Sequence, residues 1–159
     1  MIIILQLIKP AHTKGAWFGG DFVEHLDKHP NLKKKIQEVP DSNGNAIIMI
    51  SKELSIGRHE ENDIPFLYVF PAISSRHAKI FQNMNKLWVE DLKSRNGTFI
   101  LKNNHQQTTM SDAKEVTSTK GVNAPVKVLK PEELKDGDKI ILAPVVEEGG
   151  AIILVRIQE

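Results

Sequence analysis

The chain has 159 residues, 40% of them hydrophobic and 26% charged, which fits one domain with a core of its own. Its 21 Lys+Arg against 20 Asp+Glu leave a formal net charge of +1, too little to drive bulk nucleic-acid binding by counterion release. There is no cysteine, which excludes a disulfide scaffold, a thiol nucleophile and any thiolate-ligated metal, and which fits a reducing compartment such as the cytoplasm.

In chain order, Ile2 to Ile8 reads as a buried strand. Lys9 and Pro10 stop the apolar run far short of the ~20 residues a spanning helix needs, and no basic residue precedes it as a secretory signal requires. Residues 11–44 break the β pattern. Phe22, Val23 and Leu26 line one helical face behind Asp21, and Leu32 and Ile36 stand at i,i+4. The spacing therefore predicts a short helical insertion near 21–38, followed by a turn at Asp41-Ser42-Asn43-Gly44. Ala46 to Ile50, Phe66 to Phe70, Leu87 to Val89, Thr98 to Leu101, Val126 to Leu129, Lys139 to Leu142 and Ala151 to Ile157 read as further strands. Ala78 and Ile80 put His77 to Phe81 among them. Between them, residues 102–122 form a long polar stretch without periodicity, read as a surface loop. Many short strands with intervening turns predict an all-β fold, a β-sandwich.

Three short clusters stand at strand ends: Ile56-Gly57-Arg58, Ser74-Ser75-Arg76-His77-Ala78 and Ser94-Arg95-Asn96-Gly97-Thr98. In a sandwich, loops at one end gather into a surface. Arg58, Arg76 and Arg95 offer guanidinium forks that match phosphate oxygens. Ser74 and Ser75 add hydroxyls, and Asn96 adds an amide. The set suits a dianionic ligand with hydrogen-bonding neighbours. Ser74 and His77 would fall on opposite faces of an extended strand, which argues against a catalytic dyad. His25 and His29, at i,i+4, lack a third ligand, and Asp136-Gly137-Asp138 reads as a hairpin turn. No metal, no cofactor and no enzymatic activity are expected.

Taken in order, the clusters resemble the signature of the forkhead-associated (FHA) domain: Gly57-Arg58, then Ser74 to His77, then Asn96-Gly97-Thr98. Asn62-Asp63-Ile64, Val89-Glu90-Asp91-Leu92 and the Asp136-Gly137-Asp138 turn agree with it. The resemblance spans a motif core at 54–101 and resumes at 131–157, with insertions at 11–44 and 102–130, so that residues 1–159 form a single FHA-like domain. It implies a sandwich of about eleven strands that binds phosphothreonine peptides at its loop end. Arg58 and Ser74 would contact phosphate, Ser75 would add a second hydroxyl, and Asn96 would bond the peptide backbone. Arg76 and Arg95 join the candidate peptide-binding set. Gly57, His77, Gly97 and Thr98 belong to the structural motif. Ala143 stands where the family has a glycine.

The expected function is thus a phosphopeptide-binding module for phosphothreonine-containing partner proteins in signalling or assembly, with no nucleic acid and no membrane involved. The alternative is a phospho-independent assembly domain of the same fold, as in a secretion-system component. Thr109, with Asp112 three positions on, would allow self-association if phosphorylated.

Overall fold

The computed structural model describes residues 1–9, 26–39, 46–66, 71–103, 124–144 and 150–159. Twelve strands lie among them: β1 (Ile2–Lys9), β2 (Ile36–Val39), β3 (Ala46–Met49), β4 (Glu53–Gly57), β5 (Ile64–Pro65), β6 (Ala78–Asn83), β7 (Lys86–Asp91), β8 (Thr98–Leu101), β9 (Val126–Lys127), β10 (Glu132–Leu134), β11 (Lys139–Leu142) and β12 (Ala151–Gln158). They form a seven-stranded sheet in the order β2-β3-β1-β12-β11-β8-β9 and a five-stranded sheet in the order β10-β7-β6-β4-β5.

Alternation along each strand builds the core between the sheets. Ile3, Leu5 and Leu7 of β1 and Ala151, Ile153 and Val155 of β12 are buried, and the two strands pair antiparallel with Leu5 opposite Val155. The first and last strands thus lie side by side at the centre of the larger sheet. Leu54, Ile56, Ile80, Leu87, Val89 and Leu134 supply the facing layer from the smaller sheet. Each such fully buried aliphatic side chain contributes roughly 1.5–3 kcal/mol.

Strand direction decides where the three motif clusters go. β4 ends at Gly57, where Ile56 pairs with Ala78, the first residue of β6, and Ala78 in turn pairs with Asp91, the last of β7. β8 starts at Thr98 opposite Leu142, the last residue of β11. The strand ends at Gly57, Ala78, Asp91, Thr98 and Leu142 therefore gather at one end of the sandwich. The opposite end holds the Met84-Asn85 turn, whose φ values of 54° and 63° mark the left-handed hairpin type, and the Asp136-Gly137-Asp138 turn.

Several expectations change. Residues 26–28 are helical and Leu32–Lys34 forms a 3-10 turn, but the chain beyond Lys35 is strand β2 and not a second helix reaching residue 38. A helix this short is weak in isolation. The Lys35 carbonyl instead accepts the N–H groups of Ile50 and Ser51, which aligns Ile36–Val39 for pairing with β3. Phe66 follows β5 as a fully buried core residue. Residues 67–70, the rest of the strand expected there, lie outside the described residues, as do His25, the turn at 41–44 and the span 104–123 with Thr109. Lys102 and Asn103 lie at the end away from the motif loops. The Asp136-Gly137-Asp138 turn is not a hairpin: it carries the chain from β10 in one sheet to β11 in the other.

Asp138, 1% exposed, organises that turn. Its carboxylate accepts the backbone N–H groups of Lys135 at 2.8 Å and Asn103 at 2.9 Å and pairs with Lys102 Nζ at 3.2 Å. Charge-assisted bonds of this kind contribute about 1.5–3 kcal/mol. Asp138→Ala is expected to lower the urea-unfolding free energy by roughly 2–3 kcal/mol; a change under about 0.5 kcal/mol would show that the turn holds without it.

Candidate functional site

The first two motif clusters are laid side by side by their backbones. His77 N–H donates to the Ile56 carbonyl, Arg58 N–H to the Ser74 carbonyl at 2.9 Å, and His59 N–H to the Ser75 carbonyl at 3.3 Å. Gly57 sits at the closest point of this approach. A Cβ there would overlap the Ser75 carbonyl oxygen and would lie 2.7 Å from Asn62 Nδ2, so only glycine fits. Asn62, 6% exposed, closes the same corner: its amide donates to the carbonyls of His59 at 2.8 Å and Ser75 at 2.7 Å.

His77 ties this pair of loops to the third. Its imidazole is fully buried, accepts the Ser74 N–H on Nδ1 at 3.1 Å and donates from Nε2 to the Gly97 carbonyl at 2.8 Å. Those partners fix the neutral ring with its proton on Nε2. Burial holds the imidazole below the ordinary histidine value, against the raising effects of the Gly97 carbonyl and the Asp91 carboxylate. The Ser74 hydroxyl is not the ring's partner. It accepts the Arg95 N–H at 2.9 Å, a second tie between the clusters.

The third loop is shaped around Asp91. Its carboxylate accepts the Thr98 hydroxyl at 2.7 Å, the Ser94 N–H at 3.0 Å and the Ser94 hydroxyl, whose oxygen in turn accepts the Gly97 N–H at 3.0 Å. Burial would raise the Asp91 carboxyl, but the bonds from Ser94 and Thr98 outweigh it and hold the group below its usual range. Gly97 has φ +87°, the left-handed region where glycine is favoured. Ala143 has φ 52°, so it keeps a conformation natural to glycine, and its N–H donates to the Gly97 carbonyl at 3.0 Å. The Asn96-Gly97 turn carries the chain between sheets rather than closing a hairpin.

On this frame stand the six candidate binding residues. Arg58 is exposed, and its guanidinium has one hydrogen bond among the described residues, to the Pro71 carbonyl at 3.4 Å. Ser74 and Asn96 are half-buried, while Ser75, Arg76 and Arg95 are exposed. Asn96 donates to the Ala72 carbonyl at 2.9 Å, which orients its amide and leaves Oδ1 as an acceptor. Arg58, Ser74, Arg95 and Asn96 are brought together by direct loop-to-loop bonds. Ser75 and Arg76 lie on the far side of Ser74, next to His59 and Asn62. Gly57, His77 and Thr98 are buried beneath, in supporting positions. Three contributors were not singled out as site residues: Asn62, Asp91 and Ser94. The Asp91-x-x-Ser94 spacing before a glycine turn was the available signal, since Asp and Ser side chains bond to backbone a few residues on. Asn62 stood in the Asn62-Asp63-Ile64 match, but its tie to the Ser75 carbonyl, thirteen residues on, has no local signal.

The arrangement presents a guanidinium, two hydroxyls and an amide on loops whose own polar groups are largely spent on one another. Such a surface can receive an anion with hydrogen-bonding neighbours. Its frame is acid-sensitive. His77 is held neutral in the fold, so the unfolded chain takes up the proton first, below about pH 6.5. The His77 contribution is thus complete above that pH and is lost as pH falls. Asp91 adds a second loss below the ordinary carboxylate range. The melting temperature is expected to fall from pH 7.5 to pH 5.5. His77→Gln should melt lower at pH 7.5 and show a shallower fall; an unchanged slope would assign the sensitivity to another group.

A family model of the FHA domain matches residues 54–143. A stretch of 71 residues is 39% identical to the E3 ubiquitin-protein ligase CHFR of Danio rerio, covering 42% of this chain and 10% of that protein. The chain therefore spans about a tenth of that relative's length. Among solved structures, the N-terminal FHA domain of S. cerevisiae Rad53p, in complex with a phosphothreonine peptide, matches with TM-score 0.54 and 15% identity over 99% of this chain and 94% of that one. The FHA domain of CT664 from Chlamydia trachomatis matches with TM-score 0.53 and 15% identity over 100% of both chains. At these identities the structures speak to the fold alone. With more than half of its length matched by the family model, and with the Gly-Arg, Ser-x-x-His and Asn-Gly-Thr clusters held at one end of a two-sheet sandwich, the chain belongs to the FHA domain family.

Proposed function

We propose that residues 1–159 act as one non-catalytic module that binds phosphothreonine-containing segments of partner proteins. The observation that carries this reading is the Arg58 guanidinium, set beside Ser74 by paired backbones, with a single 3.4 Å bond to a carbonyl among the described residues. A phosphothreonine brings about −1.5 to −2 charge and strong acceptor oxygens. Arg58 and the hydroxyls of Ser74 and Ser75 supply matching donors. Asn96 Oδ1 accepts a peptide N–H, and Arg95 lies along the peptide's path. The reading is of a cytoplasmic protein acting in signalling or assembly. Among the described residues no helix is long and apolar enough to cross a membrane.

Matched peptides with and without phosphate on one threonine test this by fluorescence polarisation. Charge-assisted bonds worth ~1.5–3 kcal/mol each predict that Arg58→Ala weakens phosphopeptide binding at least ~tenfold with the fold intact. Equal binding of both peptides would favour the phospho-independent assembly reading. The threonine methyl group adds a second expectation. Buried near the Asn96 turn, it contributes roughly 0.8 kcal/mol, so phosphothreonine should bind about fourfold tighter than phosphoserine. Equal affinity would remove the methyl niche from the account.

A further inference from the structure

The outer face of the five-stranded sheet carries an aromatic pair. Leu54, Ile80, Leu87, Val89 and Leu134 point inward and are buried, so their neighbours along each strand face out. The register sets one outward row as Glu133, Trp88, Phe81 and Glu53, and the next as Glu90, Lys79 and Ser55. Trp88 and Phe81 therefore face each other across β7 and β6, both half-buried, each with a carboxylate residue on its other side. Such a cross-strand pair steadies the sheet. The surroundings of the two rings differ. Lys79 Nζ stands 5.4 Å from the Phe81 ring centroid, between Glu53 at 3.6 Å and Glu90 at 3.5 Å. Phe81 thus has a cation from its own chain, held by carboxylates. Trp88 is the better ring for a cation, yet none lies over it among the described residues. Its indole N–H reaches the Asn83 carbonyl at 3.5 Å. Glu133, its neighbour in the row, meets only Lys86 Nζ, at 3.7 Å.

We propose that Trp88 and Glu133 form a docking site for an arginine side chain of a partner protein, outside any phosphothreonine segment. The Lys79–Phe81 arrangement supplies the pattern: a cation over a ring, fixed by a neighbouring carboxylate. A guanidinium suits Trp88 better than an ammonium does, because it stacks flat on the indole while its edge bonds Glu133. The charge of the face agrees. Three carboxylates, on Glu53, Glu90 and Glu133, share two ammonium groups, on Lys79 and Lys86, so a further cation is favoured. Lys86 competes with the incoming guanidinium for Glu133. Removing the Lys86 charge should therefore strengthen docking, and removing the Glu133 charge should weaken it. These opposite signs separate a cation-reading site from general damage to the sheet. The site lies on a sheet face and not on the motif loops, so it does not depend on the phosphothreonine reading.

The test is an NMR titration of the full chain with a capped, phosphate-free Gly-Gly-Arg-Gly-Gly peptide at fixed ionic strength. Its twin carries citrulline, a neutral near-isostere, in place of arginine. The readout is the indole N–H signal of Trp88, assigned by its loss in Trp88→Phe. The arginine peptide should move this signal in proportion to its concentration, and the citrulline peptide should leave it in place. Glu133→Gln should lower the apparent affinity roughly two- to fivefold, the range of an exposed charge pair, and Lys86→Gln should raise it. Both substitutions lie on the exposed face, and an unchanged melting temperature shows that the sheet is intact. Equal shifts with both peptides would overturn the site, as would no shift with either. An arginine response that Glu133→Gln leaves unchanged would overturn it too. The probe carries no phosphate, so each of these results leaves the phosphothreonine reading standing.

Discussion

One buried imidazole holds the working end of this protein together. His77 joins the Ser74 N–H to the Gly97 carbonyl through its two ring nitrogens, while its own backbone bonds Ile56 and Leu92. Its side chain and backbone together tie the 74–77 loop to Ile56 on one side and to Leu92 and Gly97 on the other. The bridge works only for a neutral ring with the proton on Nε2, and full burial favours that form. Everything polar at this end is built outward from the bridge: Ser74 can meet the Arg95 N–H because its loop is pinned, and Asn96 can reach the Ala72 carbonyl because Gly97 turns where it does. A protonated ring would lose its acceptor and force the Ser74 N–H into an unpaired, partly buried state.

The same end shows a division of charge that the whole-chain total conceals. A net charge of +1 predicts no steering of polyanions. Yet on the outer sheet face and at the far end, cations meet acids: Lys79 with Glu53 and Glu90, Lys86 with Glu133, Lys102 with Asp138, Arg156 with Asp136. At the loop end, Arg58, Arg76 and Arg95 form no ion pair among the described residues. Exposed surface pairs contribute little to stability. Their absence at one end therefore costs the fold almost nothing and leaves donors ready for an external anion. Rigidity comes from the layer below, in Gly57, Asn62, His77, Asp91 and Thr98, so the exposed side chains lose less freedom on binding.

Much of this was legible in the sequence. The Ile- and Val-rich runs Ile2 to Ile8 and Ala151 to Ile157 announced strands, and both formed; that they pair with each other is a long-range choice no local pattern encodes. The short clusters at 57–58, 74–77 and 96–98 were visible because turn residues with chemistry stand beside strand-like runs. The strand Ile36–Val39 was missed because Leu32 and Ile36 fit a helical period equally well, and the deciding bonds from Ile50 and Ser51 to Lys35 come from elsewhere in the chain. Two-residue strands such as Ile64–Pro65 are too short for periodicity to register. The turn at 136–138 looked like a hairpin, since glycine with Asp serves both a hairpin and a crossing between sheets. Asn62 owes its importance to the Ser75 carbonyl, thirteen residues away.

The most direct test of the central claim, that loops pinned by His77 present one phosphate-receiving surface, is backbone-amide NMR during titration with a phosphothreonine peptide and its unphosphorylated twin. The account predicts phosphate-dependent shifts concentrated at Arg58, Ser74 to Arg76 and Arg95 to Gly97, with the outer face of the five-stranded sheet unmoved. Shifts centred on that sheet face, or the same shifts with both peptides, would contradict it.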